Sequence, residues 1–410
     1  MRKYTIIGGG LAGVTAAMEI KRLDPNGEVT IYAKEPYPYY QRPRLWEYIA
    51  GEIDQEQLYF KPVSWYGEKG IDLHLNSPVL EIHPQNQRIV LHDHTSRTYD
   101  RLLLATGADS LIPPFAQERL PGLFALRTLE DAQNIISYAD RCTDILIIGG
   151  GLLGLETGRA LLKRGLKVKI AEFMPYLLPR QLDEQGAQVL QQYLSSMGMA
   201  IITSASTTKI ERLNDRLAVT FKDGRQEKND MVLLSTGIRS QIELAAASGL
   251  QVNRGIVVNP YLQTSQEHIY AAGDSAEFEG IVYGIIPAAV DQGRIAANNM
   301  VEDHKLKYTG TVPFTRLKIA GMEFNSLGAS NLSETNDSTL TILRKSDLDQ
   351  NKYSRIVIKD GKIIGAILLG DISNLQSLKQ LIESRKDITP YTHQLLDPEF
   401  DLKALAKGKI

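Results

Sequence analysis

An α/β fold with two parallel-sheet units and a smaller α+β region at the C-terminal end is predicted by three observations. Two short apolar runs, Tyr4 to Ile7 and Ile145 to Ile148, each break into a glycine-rich turn and then a helix-like segment. The turns are Gly8-Gly9-Gly10-Leu11-Ala12-Gly13 and Gly149-Gly150-Gly151-Leu152-Leu153-Gly154. Further on, each run has a matching triplet, Ala105-Thr106-Gly107 and Ser235-Thr236-Gly237, an internal echo that duplicated domains would leave. Beyond about residue 312 the pattern changes to strands joined by a tight Asp360-Gly361 turn, followed by a helix from about Ser373 to Ser384.

A strand that turns at once into a helix aims unpaired backbone N–H groups and the positive end of the helix dipole at one point, which makes an anion site. Glycine is needed where a Cβ would block the turn, the pyrophosphate or the helix–strand contact. The glycines in question are Gly8, Gly10 and Gly13, and again Gly149, Gly151 and Gly154. The motif alone is weak, but both copies have the strand before, the helix after and an acid beyond a second strand. The second unit closes with Lys167 to Ala171 and then Glu172, whose carboxylate is placed to accept from ribose hydroxyls and repel a 2′-phosphate. That favours NADH over NADPH. The first unit closes with Val29 to Ala33 and then Lys34-Glu35, after a longer helix-to-strand loop. The alternative for both glutamates is a solvated strand end. Two such sites in one chain predict two dinucleotides held face to face for hydride transfer.

The 410 residues suggest two or three domains. With 46 Lys and Arg against 48 Asp and Glu, net charge −2, no basic bias points to nucleic acid. The chain starts Met-Arg-Lys and enters a strand at once, and its apolar runs are short and glycine-broken. A soluble, cytoplasmic protein without a signal peptide or membrane span is therefore expected. One cysteine, Cys142, cannot make an intrachain disulfide or a CxxC pair, and no role is expected for it. His92-Asp93-His94 reads as a polar turn, and no metal site is expected. The Pro36 to Trp46 stretch, rich in proline and aromatics, is either an ordered surface or partner-binding loop or, from its place after the first unit, a cover for the cofactor. Ala272-Gly273-Asp274 ends another strand, and Pro287-Ala288-Ala289 opens a helix that continues to about Met300.

With these motifs the chain resembles the FAD- and NAD-dependent pyridine nucleotide-disulfide oxidoreductases of the glutathione-reductase fold. The first loop is similar to their FAD loop. The second, followed by Glu156, is similar to their NAD loop; Thr236-Gly237 and Ala272-Gly273-Asp274 complete the set. Tyr40-Gln41-Arg42-Pro43-Arg44-Leu45 and the C-terminal region resemble the NADH:rubredoxin reductase and nitrite-reductase large-subunit branch. The resemblance implies a discontinuous FAD domain over 1–112 and 240–312, an NADH domain over 113–239, and an interface or docking domain over 313–410. It implies that Glu35, Arg42 and Pro43 border the FAD adenosine, that Val79 meets adenine through its backbone, and that Asp274 binds the ribitol. Ala12, Ala105, Thr106 and Gly107 would line the FAD site, and Leu152 and Gly237 the NADH site. The helix at Pro287 would aim its positive end at the flavin pyrimidine edge, and Glu156 would position the nicotinamide.

Two departures narrow the chemistry. Residues 36–50 hold no cysteine, so the family's thiol chemistry is not expected. Where many relatives have a lysine paired to the acid matching Glu156, this chain has Glu47, and Arg44 is the expected substitute partner. With no nucleophile, the flavin must carry the reaction. The leading expectation is an NADH-dependent reductase feeding an iron–sulfur protein, either rubredoxin or a ferredoxin-like subunit of a larger complex. The alternatives are an NADH oxidase or quinone reductase with small acceptors, and a flavin-binding sensor or scaffold. The C-terminal domain is either a docking surface or a packing domain, and homo-oligomerisation is left open.

Overall fold

The computed structural model describes residues 1–312, 314–319 (backbone only), 322–330, 332 and 339–410. The expected start of the C-terminal domain, residue 313, lies outside the described residues. Two compact units emerge, each made of several chain segments.

The first unit comprises 1–44, 53–111 and 238–311. Its centre is a five-stranded parallel sheet in the order Ile269–Ala271, Arg101–Leu104, Lys3–Ile7, Glu28–Tyr32, Ile71–His74. Four of its strands are largely apolar and buried, as strands covered on both faces are, whereas edge strand Ile71–His74 alternates. Lys3–Ile7 is central, with later strands on both sides, so its C-terminal end is the switch point where such sheets leave a crevice. The glycine loop sits there and opens helix Leu11–Leu23. Helix Ile286–Val301 packs closely on it through small residues: a Cβ on Gly293 would stand 2.7 Å from the Ala12 carbonyl oxygen. Three antiparallel strands, Val79–His83, Arg88–Leu91 and Ser96–Thr98, join the same core through Ile82, Ile89 and Leu91.

The second unit contains 45–52, 112–237 and 312–410. It repeats the plan, with parallel strands in the order Ala200–Ile202, Lys167–Ala171, Asp144–Ile148, Met231–Leu234, Leu123–Ala125. It has its own three-stranded antiparallel meander, Thr207–Leu213, Arg216–Phe221 and Gln226–Asn229. The triplet echo in the sequence thus corresponds to a repeated architecture.

The short helix Leu45–Ile49 keeps company with this unit, although the sequence reading grouped it with residues 1–112. Charge explains it. Glu52 pairs with Arg159 at 2.8 Å and Lys163 at 3.0 Å, Arg159 stacks on Trp46, and Arg164 donates to the Ile49 carbonyl.

The C-terminal region of the same unit is an antiparallel sheet in the order Phe314–Ile319, Met322–Gly328, Lys362–Leu369, Lys352–Lys359, Leu340–Asp347. The Asp360-Gly361 turn has positive φ at both residues, the conformation that tight hairpins favour. Helix Leu375–Ser384 covers one face through Leu378 and Leu381. The charged tail from Asp397 adds helix Leu402–Ala406 and buries Leu402 and Leu405 in that core. Among the described residues no helix is long and apolar enough to cross a membrane, and no cluster of His, Cys, Asp or Glu could hold a metal ion. His92-Asp93-His94 forms a turn in which Asp93 accepts from the Thr95 backbone and hydroxyl.

Candidate functional site

The two glycine loops are sterically alike. An ideal Cβ on Gly8 would lie 2.1 Å from the Ala105 carbonyl oxygen, and one on Gly149 would lie 2.1 Å from that of Ser235. Both residues have φ near +115°. A Cβ on Gly13 or Gly154 would lie 2.2 Å from the carbonyl oxygen of Gly8 or Gly149. These glycines are demanded by the chain itself, and they explain the triplet echo: each loop needs a backbone pressed against it.

Gly10 and Gly151 differ. A Cβ on either meets nothing within 4 Å, and both have ordinary negative φ as helix N-caps. As glycines, neither cap carries a side chain that could satisfy the first N–H groups of its helix. Nothing in the protein requires glycine there. A bound anion lying close to the backbone does, so the residues fit a pyrophosphate at both loops. Ala12 and Leu152 lie in the first turns of the two helices. Gly107 and Gly237 share the open space but, unlike Gly10 and Gly151, have positive φ.

The two acids are held differently. Glu172 is buried and accepts from the Gly150 N–H at 2.6 Å and the Met174 N–H at 2.8 Å, one through each oxygen. Each oxygen keeps a further lone pair. Glu35 is half-buried and pairs with Arg42 at 2.5 Å and the Tyr40 hydroxyl at 2.5 Å. The resemblance puts Glu35 and Arg42 together at the adenosine; the structure pairs them and adds the hydroxyl of Tyr40, the first residue of the Tyr40 to Leu45 motif. Burial pulls Arg42 down, but Tyr40, Glu35 and Asp274 outweigh it and hold the guanidinium charged. Pro43 lies in the same single turn, Arg42–Arg44. Val79 begins a meander strand and packs against the core of the first unit.

Asp274 occupies the turn Gly273–Ser275 at the end of strand Ile269–Ala271. Its carbonyl accepts from the Ser240 hydroxyl at 2.7 Å, and the Gly273 N–H donates to Gln292 at 2.8 Å. Thr106 donates to the Gln241 carbonyl at 3.0 Å. Local sequence gives the Ser240, Gln241 and Gln292 side chains no role, because their partners are distant along the chain. Pro287 is in the first turn of helix Ile286–Val301, which its fixed φ and missing N–H suit.

Glu156 is one turn into helix Leu152–Lys163. Burial pushes its carboxyl up to about 8; the Glu47 charge adds to the shift and Arg159 opposes it. At neutral pH this group holds its proton. Arg159, on the same helix, is the cation that favours the charged form of Glu156; Arg44 donates to the Gln57 carbonyl at 3.1 Å.

Residues 2–293 match the family described as pyridine nucleotide-disulphide oxidoreductase, and residues 313–386 match the rubredoxin NAD+ reductase C-terminal domain. The chain is 34% identical over 390 residues to the nitrite reductase (NAD(P)H) of Bacillus subtilis, covering 95% of this chain and 48% of that protein. It thus spans about half the length of that relative. It is 30% identical over 386 residues to the NADH-rubredoxin oxidoreductase of Clostridium acetobutylicum, covering 94% and 95% of the two chains. Among solved structures, the ferredoxin reductase for the CYP199A2 system of Rhodopseudomonas palustris is similar, with a TM-score of 0.89, 26% identity and coverage of 99% and 100%.

Proposed function

Because the chain belongs to the pyridine nucleotide-disulphide oxidoreductase family, and to the NADH-dependent FAD oxidoreductases within it, we propose that it takes hydride from NADH onto FAD and passes electrons singly to an iron–sulfur protein. The observation that carries this reading is the pair of loops with open space at Gly10 and Gly151, in a chain whose only cysteine is Cys142. Bound FAD supplies the hydride acceptance and the one-electron release.

The chain's own residues bind and orient. The first loop and the N-terminal turn of helix Leu11–Leu23 hold the FAD pyrophosphate, and the Glu35–Arg42–Tyr40 cluster borders its adenosine. Asp274 receives the ribitol. The N-terminus of helix Ile286–Val301 favours negative charge at the pyrimidine edge. The second loop holds the NADH pyrophosphate, and Glu172 accepts from its adenosine ribose. Glu156, protonated at neutral pH, places a neutral donor beside the nicotinamide and is unsuited to act as a base there.

The acceptor reading draws on the relatives. One is named an NADH-rubredoxin oxidoreductase and matches over 95% of its length, and residues 313–386 match the rubredoxin NAD+ reductase C-terminal domain. The half-length match to a nitrite reductase favours a variant of the same reading, in which the chain serves as the NADH module of a larger redox complex.

An anaerobic titration with NADH and then NADPH, followed by flavin absorbance, tests the first step. Rapid bleaching by NADH and not NADPH is expected. Rubredoxin and a [2Fe–2S] ferredoxin are then offered as acceptors. Dioxygen or a quinone accepting electrons faster than both would overturn the iron–sulfur reading.

A further inference from the structure

The segment Phe173 to Leu182 follows Glu172, the residue just past strand Lys167–Ala171, leads to helix Glu184–Ser196, and lies against the second glycine loop. A Cβ on Gly150 would stand 2.5 Å from Leu177 Cδ2, and the Leu178 N–H donates to the Gly150 carbonyl. Leu177, Leu178 and Leu182 are wholly buried, and Leu178 adopts φ +52°, a conformation branched and bulky residues hold only when their surroundings impose it. At its start the segment is tied to the loop by Glu172, which accepts from both Gly150 and Met174.

Its other end is tied to the C-terminal sheet. Asp183 uses Oδ1 to cap helix Glu184–Ser196, accepting from the Gly186 N–H at 3.1 Å. Oδ2 accepts from the Tyr353 hydroxyl at 2.6 Å and faces Arg344 Nε at 3.1 Å and Arg355 Nη1 at 3.5 Å. Arg344 stands directly opposite Arg355 across adjacent strands, and Tyr353 is two residues from Arg355 on the same face. Arg355 is 1% exposed, so its guanidinium needs a buried counter-charge beside a like neighbour, and Asp183 supplies it. Burial raises the Asp183 carboxyl, yet the Tyr353 and Gly186 hydrogen bonds and the two guanidiniums bring it below its ordinary value, so the charge is kept. The Tyr353 ring reaches this place only because residue 186 is glycine: a Cβ would lie 2.9 Å from the ring.

We propose that Asp183, gripped by Tyr353, Arg344 and Arg355, is a positioning residue for NADH, through which the C-terminal domain sets the shape of the 173–182 segment and hence nucleotide affinity. The proposal rests on the assignment of the second loop to NADH. Asp183 touches no part of the expected nucleotide site; it acts by fixing the segment that backs Gly150 and follows Glu172. Linkage then works in both directions: anything that loosens the C-terminal sheet weakens NADH, and bound NADH stiffens the sheet's hold.

The test uses the flavin-loaded full chain with ferricyanide as electron acceptor. Asp183→Asn keeps a capping oxygen and the side-chain volume but removes the charge. Tyr353→Phe removes one hydroxyl and guards against a folding failure of the first variant. The expected result is a rise in NADH KM and in the NAD+ dissociation constant of roughly fivefold or more for Asp183→Asn. Tyr353→Phe should shift both in the same direction by less, with kcat at saturating NADH and the flavin spectrum kept in both. Combined with Glu172→Ala, Asp183→Asn should add less than its separate effect, because both act through one segment. Variants that melt earlier but keep the wild-type KM and NAD+ affinity would make Asp183 a simple joint and overturn the proposal. A fall in kcat with KM unchanged would do the same. A wild-type protein that binds neither NADH nor NAD+ would instead overturn the assignment of the second loop.

Discussion

Gly8 and Gly10 stand two residues apart and are glycine for opposite reasons. Gly8→Ala drives a methyl into the Ala105 carbonyl at a φ of +115°, so it should destabilise the fold by more than about 1 kcal/mol. Gly10→Ala enters open space at an ordinary φ of −81° and should change stability by less than about 0.5 kcal/mol. It should nonetheless lose flavin, because the methyl occupies the space of the pyrophosphate. Thermal melting of the apoprotein and FAD per chain separate the two effects; a Gly10→Ala protein that keeps full flavin would show that no phosphate lies there. Glu156 gives a second test at this scale. Its carboxyl binds a proton more tightly in the folded chain, at about 8 against an ordinary 4.5. That contribution to stability is complete below pH 4.5, shrinks as pH rises, and is gone once pH passes 8. Glu156→Gln keeps the neutral form at all pH values. Relative to wild type it should gain stability between pH 6 and pH 9, and its NADH reduction rate should hold at high pH where the wild-type rate declines. Parallel pH profiles for the two proteins would refute the raised carboxyl.

At the scale of elements, the helix that follows the first loop is set by a neighbour far along the chain. Gly293 of helix Ile286–Val301 faces the Ala12 carbonyl and Thr15, so Gly293→Val must push the two helices apart. Overpacking of this kind costs about 1–3 kcal/mol. Because Ala12 lies in the first turn beyond the loop, flavin affinity should fall with stability. Gly158 is the control: its added Cβ would meet only side-chain tips of Ile147, Ile170 and Val168 at 3.3–3.4 Å, so Gly158→Ala should be far milder. Melting temperature and flavin retention measure both, and equal losses would argue against a specific role for the Gly293 contact. The same distinction between near and far explains what the sequence disclosed. Strand, glycine turn and helix are contiguous, so both loops, their strands, the Asp360-Gly361 hairpin and the Ile286–Val301 helix were legible from local pattern. The Glu35–Arg42–Tyr40 cluster, the Ser240 and Gln292 hydrogen bonds and the Asp183 grip join residues whose spacing has no period. Helix Leu45–Ile49 sits with the second unit, burying Leu45 and Ile49 and adding the Glu52 pairs to Arg159 and Lys163, a choice of partner that a five-residue pattern does not reveal. The tail helix has little local signal, because only Leu402 and Leu405 mark its buried side within a charged stretch.

For the whole molecule, duplication supplies two dinucleotide loops, and the sequence supplies one thiol. Family membership alone would suggest disulfide chemistry, but that needs two sulfurs, or one kept as a thiolate where the flavin can reach it. Cys142 meets neither condition. It follows helix Leu129–Ala139 in the second unit, is half-buried, and donates to the Tyr138 carbonyl at 3.2 Å. Burial first, then the charges of Asp230 and Asp144, push its thiol up to about 11, so little thiolate forms near neutral pH. Its surroundings, Arg212, Arg216 and Asp230, lie beside the N-terminal edge of strand Asp144–Ile148, whereas the glycine loop follows the C-terminal end of that strand. Cys142→Ser should therefore leave NADH-driven reduction of a protein acceptor within about twofold of wild type, since a substitution away from the reacting groups shifts free energies by about 0.5 kcal/mol. Alkylation at neutral pH should be slow and equally silent. Loss of turnover in the flavin-loaded serine variant, with NADH still bleaching the flavin, would place sulfur after the flavin in the electron path and would exclude direct delivery to an iron–sulfur protein.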